Sequence, residues 1–344
     1  MANSRSMILR WSIFSFGALV VLVVMVNLFQ QYRPFLATSS KNYEAEYKTT
    51  PLLYIPPLGL GTWQIPKSKA SAVVKFAIEK GYRHIDAALI YGNEKEVGEG
   101  IVQSGIPRSS LWVTGKIWND AHEPSSVRPA VVKTLEDLGL EYLDLYLMHW
   151  PVAFKPDTGH KDVIDNVNIL ETWWAMEELV KEGLVRQIGV SNFNQAQVEQ
   201  ILRHARVRPS VHEFETHPYL QQTVFVNWNL ARGLRVIAYS PLGNMNPIYN
   251  SSDTPLLQDP FLISLARKNG ITVAQLALSW GMHRGVVVIP KSEHEDRVLE
   301  NLQAQHVRLA DDNFQAINAY DRKTRFNNPS DIWGVQLYTG LDGV

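Results

Sequence analysis

Asp86, Tyr91, Lys116 and His149 each fall at or just past the end of a short strand-like run, the runs being 82–87, 111–118 and 143–150. A carboxylate, a phenol, an ammonium and an imidazole gathered on one face suit proton transfer to a carbonyl oxygen. Reducing a carbonyl also needs a hydride, which no side chain donates, so a nicotinamide cofactor is implied. Tyr91 is the plausible acid. A free phenol titrates near ~10, so a neighbouring cation, Lys116, is expected to bring it closer to working pH. Asp86, ionised, would pair with Lys116 and hold it in place. His149 would donate a hydrogen bond that orients the substrate carbonyl.

Residues from successive strand ends meet on one face when parallel strands and helices alternate around a barrel. The strand-like runs are 59–63, 82–87, 111–118, 143–150, 185–192, 210–217, 235–242 and 286–292. Several are apolar nearly throughout, as strands buried on both faces should be. Amphipathic segments separate them; in 125–140 the apolar residues Val127, Val131, Leu135 and Leu138 keep one helical face. Gly81, Gly183, Gly233 and Gly270 stand where helical patterns end and a left-handed cap is expected. Eight strand–helix units over about 250 residues predict an α/β protein of the (β/α)8 TIM-barrel class. A doubly wound dinucleotide-binding sheet would carry GxGxxG after its first strand. The only candidate, Gly59-Leu60-Gly61-Thr62-Trp63, lacks the third glycine and opens no helix. There is no Walker loop, EF-hand, HExxH or GxSxG pattern, and no metal is expected.

The 344 residues carry a net charge of −1 and no cysteine. The charge gives no reason to expect nucleic acid as a partner, and the composition removes disulfides, thiolate metal sites and cysteine nucleophiles. Residues 11–29 differ from the rest in being almost wholly apolar. As a helix they would extend about 28 Å, against a bilayer core of ~30 Å. A buried core helix would alternate polar positions, which this stretch barely does. A signal peptide is the stronger alternative, but the stretch is long for one, and the only small-x-small site, Ala37-Thr38-Ser39, lies well downstream. An uncleaved N-terminal transmembrane helix is therefore expected within residues 1–30, with the lipid bilayer as its partner. Residues 31–50 read as a polar linker and 51–344 as the barrel with a C-terminal substrate loop. Arg5 and Arg10 before the span, and Arg33, Lys41 and Lys48 after it, leave its orientation undecided.

The order of motifs resembles the aldo-keto reductase superfamily over about residues 52 to 338. Gly81-Tyr82-Arg83-His84-Ile85-Asp86-Ala87-Ala88, followed by Tyr91-Gly92-Asn93-Glu94 and Val97-Gly98, resembles its first signature. Further matches are Gly59-Leu60-Gly61-Thr62-Trp63, Val113-Thr114-Gly115-Lys116-Ile117-Trp118 and Leu145-Tyr146-Leu147-Met148-His149-Trp150-Pro151. Ile188-Gly189-Val190-Ser191-Asn192-Phe193, Ala238-Tyr239-Ser240-Pro241-Leu242-Gly243 and Ile289-Pro290-Lys291-Ser292 follow, with Arg297, Glu300 and Asn301. The resemblance implies the same four catalytic roles and an NADP(H) site, with NADPH preferred and NADH as the alternative. In it Tyr239 would stack on the nicotinamide, Ser191 and Asn192 would bind its carboxamide, and Thr62 would lie near its ribose. Ser240 and Leu242 would follow the pyrophosphate. Lys291, Ser292 and Arg297 would hold the adenosine 2′-phosphate, with Glu300 and Asn301 at the adenine.

Two departures stand out. Glu293, Glu295 and Asp296 lie among the phosphate-binding cations. His212-Glu213 stands where relatives commonly carry Asn-Gln. Glu213 is expected to be ionised, to accept a hydrogen bond from the carboxamide, and to favour the oxidised ring. Trp63, Trp118, His149, Trp150, Phe154 and Trp333 are the expected substrate wall, suited to a bulky, lipophilic carbonyl compound. The function implied is reduction of an aldehyde or ketone. The alternatives are a non-catalytic, cofactor-binding regulatory barrel at a membrane and an alcohol dehydrogenase working oxidatively. An NADPH-dependent barrel would face the cytosol; glycan attachment at the Asn250-Ser251-Ser252 sequon would instead place it in the lumen.

Overall fold

A computed structural model describes residues 54–156, 158, 162–164, 168–243 and 254–342. The transmembrane helix expected at 11–29, the linker at 31–50 and the Asn250 sequon lie outside the described residues. Among the described residues no helix is long and apolar enough to cross a membrane.

Eight parallel strands form one sheet in chain order. They are β1 (Leu60–Gly61), β2 (His84–Asp86), β3 (Trp112–Ile117), β4 (Leu143–Met148), β5 (Val185–Ser191), β6 (Val211–Glu215), β7 (Arg235–Tyr239) and β8 (Val287–Val288). The amide of Gly59 donates to Val288 O and that of Val288 to Pro57 O, so the last strand bonds back beside the first. This is the arrangement expected of a (β/α)8 barrel, and all eight strands fall inside the runs anticipated from sequence.

Helices fill the connections: α1 (Lys67–Lys80), α2 (Glu94–Gln103), α3 (Pro124–Leu138), α4 (Ile169–Lys181), α5 (Gln195–His204) and α6 (Thr223–Ala231). Two helices, α7 (Pro260–Lys268) and α8 (Val273–His283), lie between β7 and β8; α9 (Glu295–Gln303), α10 (Asp311–Asn318) and the short α11 (Ser330–Trp333) follow. Val127, Val131, Leu135 and Leu138 of α3 are all buried, as the 3.6-residue spacing requires. Asn194 and Thr272 start α5 and α8 with capping boxes closed by Gln197 and Gln275, which satisfies amides that have no partner inside the helix.

The two-residue period of a strand builds the site. On β3, Val113 and Ile117 face the helices, while Trp112 joins an inner cluster with Leu145, Leu147, Val211, Ile237, Val287 and Ile289. Continuing that inner face toward the strands' C-terminal ends reaches Asp86 on β2, Lys116 on β3, His149 after β4, Glu213 and Glu215 on β6 and Tyr239 on β7. The lower barrel is largely apolar, with His84, Thr114 and Gln187 buried among the hydrophobic side chains, while the carboxyls and Lys116 gather at its upper end. Gly189 on β5 permits this curvature, since a Cβ there would lie 2.5 Å from Val211 O.

Candidate active site

A cavity of about 800 Å³ opens at the C-terminal ends of the strands. Asp86, Tyr91 and His149 line it, and Lys116 lies directly beneath, wholly buried. Lys116 Nζ donates to Asp86 Oδ1 and, at 3.2 Å, to Ala87 O. The same ammonium lies 5.2 Å from the Tyr91 ring centroid. Tyr91 is placed by a single 3₁₀ turn, Leu89–Tyr91, closed by left-handed Gly92. The His149 ring stands edge-on to Tyr91, with centroids 5.8 Å apart, and edge-on to Trp118 at 5.1 Å. The four side chains expected to act together do converge.

Their electrostatics differ from the expectation in one respect. Burial pushes the Tyr91 phenol upward, and the negative charge of Asp86 adds to that push, so Lys116 does not bring it toward neutrality. Tyr91 thus stays protonated at working pH. Burial opposes the Lys116 ammonium, but the Asp86 carboxylate bonded to it favours the charged form, and Lys116 keeps its proton. His149 is held well below its ordinary value, first by burial and then by the Lys116 charge, and is neutral.

Glu213 also departs from expectation. Its Oε1 is 3.5 Å from Lys116 Nζ, and its Oε2 is buried with no hydrogen-bond partner. Burial, reinforced by the Asp86 carboxylate, raises it well above the usual carboxyl range. In the protein alone Glu213 is therefore protonated and not, as its sequence suggested, a carboxylate.

Most of the remaining expected residues share the cavity wall. Thr62, Asn192, Glu213, Tyr239, Ser240, Leu242, Lys291, Ser292, Arg297, Glu300 and Asn301 line it, as do Trp63, Trp118, Trp150 and Trp333. Ser191 and Phe154 are buried and do not. Ser191 lies beneath Asn192, whose Nδ2 donates to Ser191 Oγ and to His149 O, each at 3.1 Å. Asn192 Oδ1 accepts from the Tyr239 hydroxyl at 2.7 Å. Asn192 sits in the left-handed region, φ 64°, which turns its side chain back across the strand ends. Thr62 Oγ1 donates to Asp86 O at 2.8 Å and so steadies the end of β2. Phe154 backs the wall from behind, with its ring 6.2 Å from Trp118 and 5.2 Å from Trp333. Of the acidic residues among the phosphate-binding cations, Glu293 lines the cavity but pairs with Lys69 at 3.2 Å, while Glu295 and Asp296 are exposed outside it.

Sequence reasoning missed several wall residues: Gln64, Ile90, Leu257, Gln258, His294 and Asn327. It also missed the clamp behind them. Glu215 accepts from the amides of Phe326 and Asn327 at 2.8 and 3.0 Å, fixing the C-terminal segment that carries Trp333. An acidic residue two places beyond Glu213 on the same inner face was the available signal.

The cavity suits a nicotinamide dinucleotide. Near the four central side chains, Glu213, whose Oε2 has no hydrogen-bond partner, and Asn192, whose Oδ1 has a second lone pair, stand in the cavity wall and could pair with an amide. Elsewhere on its wall Lys291 and Arg297 offer cations for a phosphate. Fold and site together define a nicotinamide-dependent oxidoreductase built on a parallel barrel. The sequence profile of the Aldo/keto reductase family matches residues 57–322, and the chain belongs to that family. It is 44% identical over 288 residues to human aldo-keto reductase family 1 member A1, covering 80% of this chain and 89% of that one. An uncharacterized oxidoreductase of Schizosaccharomyces pombe is 47% identical over 297 residues, 84% of this chain and 92% of the relative. Among solved structures, aldose reductase from Giardia lamblia matches with a TM-score of 0.76 and 36% identity, over 83% of this chain and 99% of that one. The aldose reductase of Schistosoma japonicum gives 0.76 and 38%, over 83% and 94%. The protein is accordingly an NAD(P)H-dependent oxidoreductase of small-molecule carbonyl chemistry.

Proposed function

We propose that this chain is an NADPH-dependent reductase of bulky, apolar aldehydes and ketones, with Tyr91 as the proton donor. The observation that carries the reading is the wholly buried Lys116 ammonium, in contact with both Asp86 and Tyr91 beneath an open cavity. A buried cation is costly unless paired, and here its pairing sets up a proton donor at the wall.

A nicotinamide held along the cavity wall would supply the hydride for the carbonyl carbon. Neutral His149 donates one ring N–H to the carbonyl oxygen and so orients it. Tyr91, protonated because it is buried, delivers its hydroxyl proton as negative charge develops on that oxygen, and Lys116 stabilises the phenolate left behind. Asp86 holds Lys116 and keeps it charged. Trp63, Trp118, Trp150 and Trp333 exclude water and favour large apolar substituents. Lys291 and Arg297 would grip the adenosine phosphate and set the preference for NADPH; the pairing of Glu293 with Lys69 removes most of its opposing charge. The apolar span 11–29 is long enough to anchor the barrel to a membrane, on the cytosolic face where NADPH is abundant. That location suits a substrate that partitions into lipid.

The test is turnover by the full-length protein with NADPH and NADH, against aromatic and long-chain carbonyls and against small polar aldoses. The reading expects higher kcat/KM for the apolar substrates. It also expects a preference for NADPH that Arg297→Ala reduces roughly tenfold, the scale of one charge-assisted contact. Equal kcat/KM for both cofactors removes the NADPH assignment, and equal activity on aldoses removes the apolar-substrate assignment.

A further inference from the structure

Beneath the cavity, three strands bring two carboxyls to one ammonium. Asp86 comes from β2, Lys116 from β3 and Glu213 from β6, all within the barrel and almost wholly buried. Lys116 bonds Asp86 directly and lies 3.5 Å from Glu213 Oε1. The two carboxyls also interact with each other. One oxygen of each, Asp86 Oδ2 and Glu213 Oε2, has no hydrogen-bond partner.

The other elements around Glu213 bring no second cation. Its register partners are Ser191 on β5 and Ile237 on β7. Tyr91, from the turn after β2, is a neutral phenol, and Tyr239 and Asn192 at the neighbouring strand ends are neutral as well. With one positive charge for two acids, one acid keeps its proton. Asp86 holds the closer bond to Lys116, so the proton belongs to Glu213.

We propose that this proton is linked to the oxidation state of the nicotinamide: Glu213 keeps it beside the neutral reduced ring and releases it when the oxidised ring, which carries a positive charge, binds. The inference rests on the cofactor reading above, since Glu213 lines the cavity together with Tyr91, Asn192 and Tyr239. An opposite charge within ~4–6 Å of a carboxyl lowers its pKa by about 1 to 3 units. A second cation beside Glu213 would therefore shift the balance that keeps it protonated toward the carboxylate. The step balances as protein with Glu213–COOH plus NADP⁺ giving the complex with Glu213–COO⁻ and one proton passed to the buffer. NADPH adds no charge at the ring, so Glu213 keeps its proton in that complex. The consequence is an affinity for NADP⁺ that rises with pH while that for NADPH does not follow it.

The experiment is calorimetric titration of the full-length protein with NADP⁺ and with NADPH. Each is repeated in phosphate and in Tris, whose different ionisation enthalpies reveal the protons exchanged. Protons exchanged by the adenosine phosphate are common to both nucleotides and cancel in the difference. The wild type should release up to one proton more with NADP⁺ than with NADPH at pH 7. Its Kd for NADP⁺, relative to that for NADPH, should fall up to tenfold per pH unit, the slope of one linked proton. Glu213→Gln should abolish both differences, and Glu213→Ala provides the same comparison if the glutamine variant does not fold. Equal proton counts for the two nucleotides in the wild type overturn the inference, as does a difference that survives in a folded Glu213 variant. Binding without that difference removes only the role of Glu213. Failure of either nucleotide to bind removes the cofactor reading and this inference with it.

Discussion

Replacing Glu215 with glutamine should loosen the C-terminal segment that carries Trp333. The wild-type carboxylate accepts from Phe326 N at 2.8 Å, from Asn327 N at 3.0 Å and from His217 Nε2 at 2.9 Å, and Arg325 lies 4.0 Å away. Burial alone would raise its pKa, but His217, Arg325 and the Phe326 amide outweigh burial and hold it below the ordinary value. Glutamine keeps one acceptor oxygen, turns an NH₂ toward another donor and leaves the buried Arg325 without its counter-charge. A lost hydrogen bond to a charged group costs ~1.5–3 kcal/mol, and breaking a buried ion pair costs about 3–5 kcal/mol. These overlap, so the expected loss is about 3–5 kcal/mol. That loss can be taken locally, by release of the 326–342 segment, as well as globally. Trp333 would leave its contacts with Trp150 and Phe154, at 4.9 and 5.2 Å between centroids. The assay pairs thermal unfolding with KM for large and small carbonyls. KM for the large ones should rise at least fivefold with little change for small ones. The pH dependence has a definite sign. A carboxyl depressed in the folded state contributes fully above its unfolded pKa, and the contribution is lost as pH falls through the folded value. The wild type should therefore lose this stabilisation in acid, and the variant should show less of that decline. An unchanged melting temperature and unchanged KM values would refute the reasoning.

Two further perturbations probe the barrel itself. Glu94, at the start of α2, is buried without hydrogen-bond partners, and burial, with the Asp137 charge, pushes it up to about 8. The unfolded chain ionises it near 4.5, so folding stability should fall as pH rises from about 4.5 to 8; Glu94→Gln should flatten that decline in melts across the same range, and an identical pH profile would count against it. Gly189→Ala would set a Cβ 2.5 Å from Val211 O and 2.8 Å from Leu147 Cδ2. That should cost about 1–3 kcal/mol in denaturant unfolding, and no loss would mean that β5 and β6 are not so closely packed.

Several strands, such as β4, were legible because they are buried on both faces and read as nearly continuous apolar runs; the others were placed by their regular alternation with amphipathic helical segments. The four central side chains were legible for a related reason. A charged residue at the end of such a run has only the barrel mouth to occupy. What sequence could not supply were properties summed over space. Lys116 was expected to lower the Tyr91 phenol, but burial, reinforced by the Asp86 carboxylate, decides its direction. Glu213 read as a carboxylate, yet its ionisation depends on Asp86, 127 residues earlier and on a strand four places away in the sheet. Ser191 and Phe154 lie one layer behind the wall because Asn192 and Trp118 stand in front of them. The Glu215 clamp joins residues 111 and 112 positions apart, so the acidic residue itself was visible in the sequence but its partners were not.

The central claim is that Tyr91 gives the proton over a buried Lys116. The most direct measurement is turnover of NADPH by Tyr91→Phe beside its binding of NADPH, read by fluorescence titration on the same full-length preparation. The account predicts kcat reduced by ~10²–10⁴-fold, the scale of a lost general acid, with the Kd for NADPH within a few-fold of wild type. A folded variant that binds NADPH and turns over at the wild-type rate would contradict it.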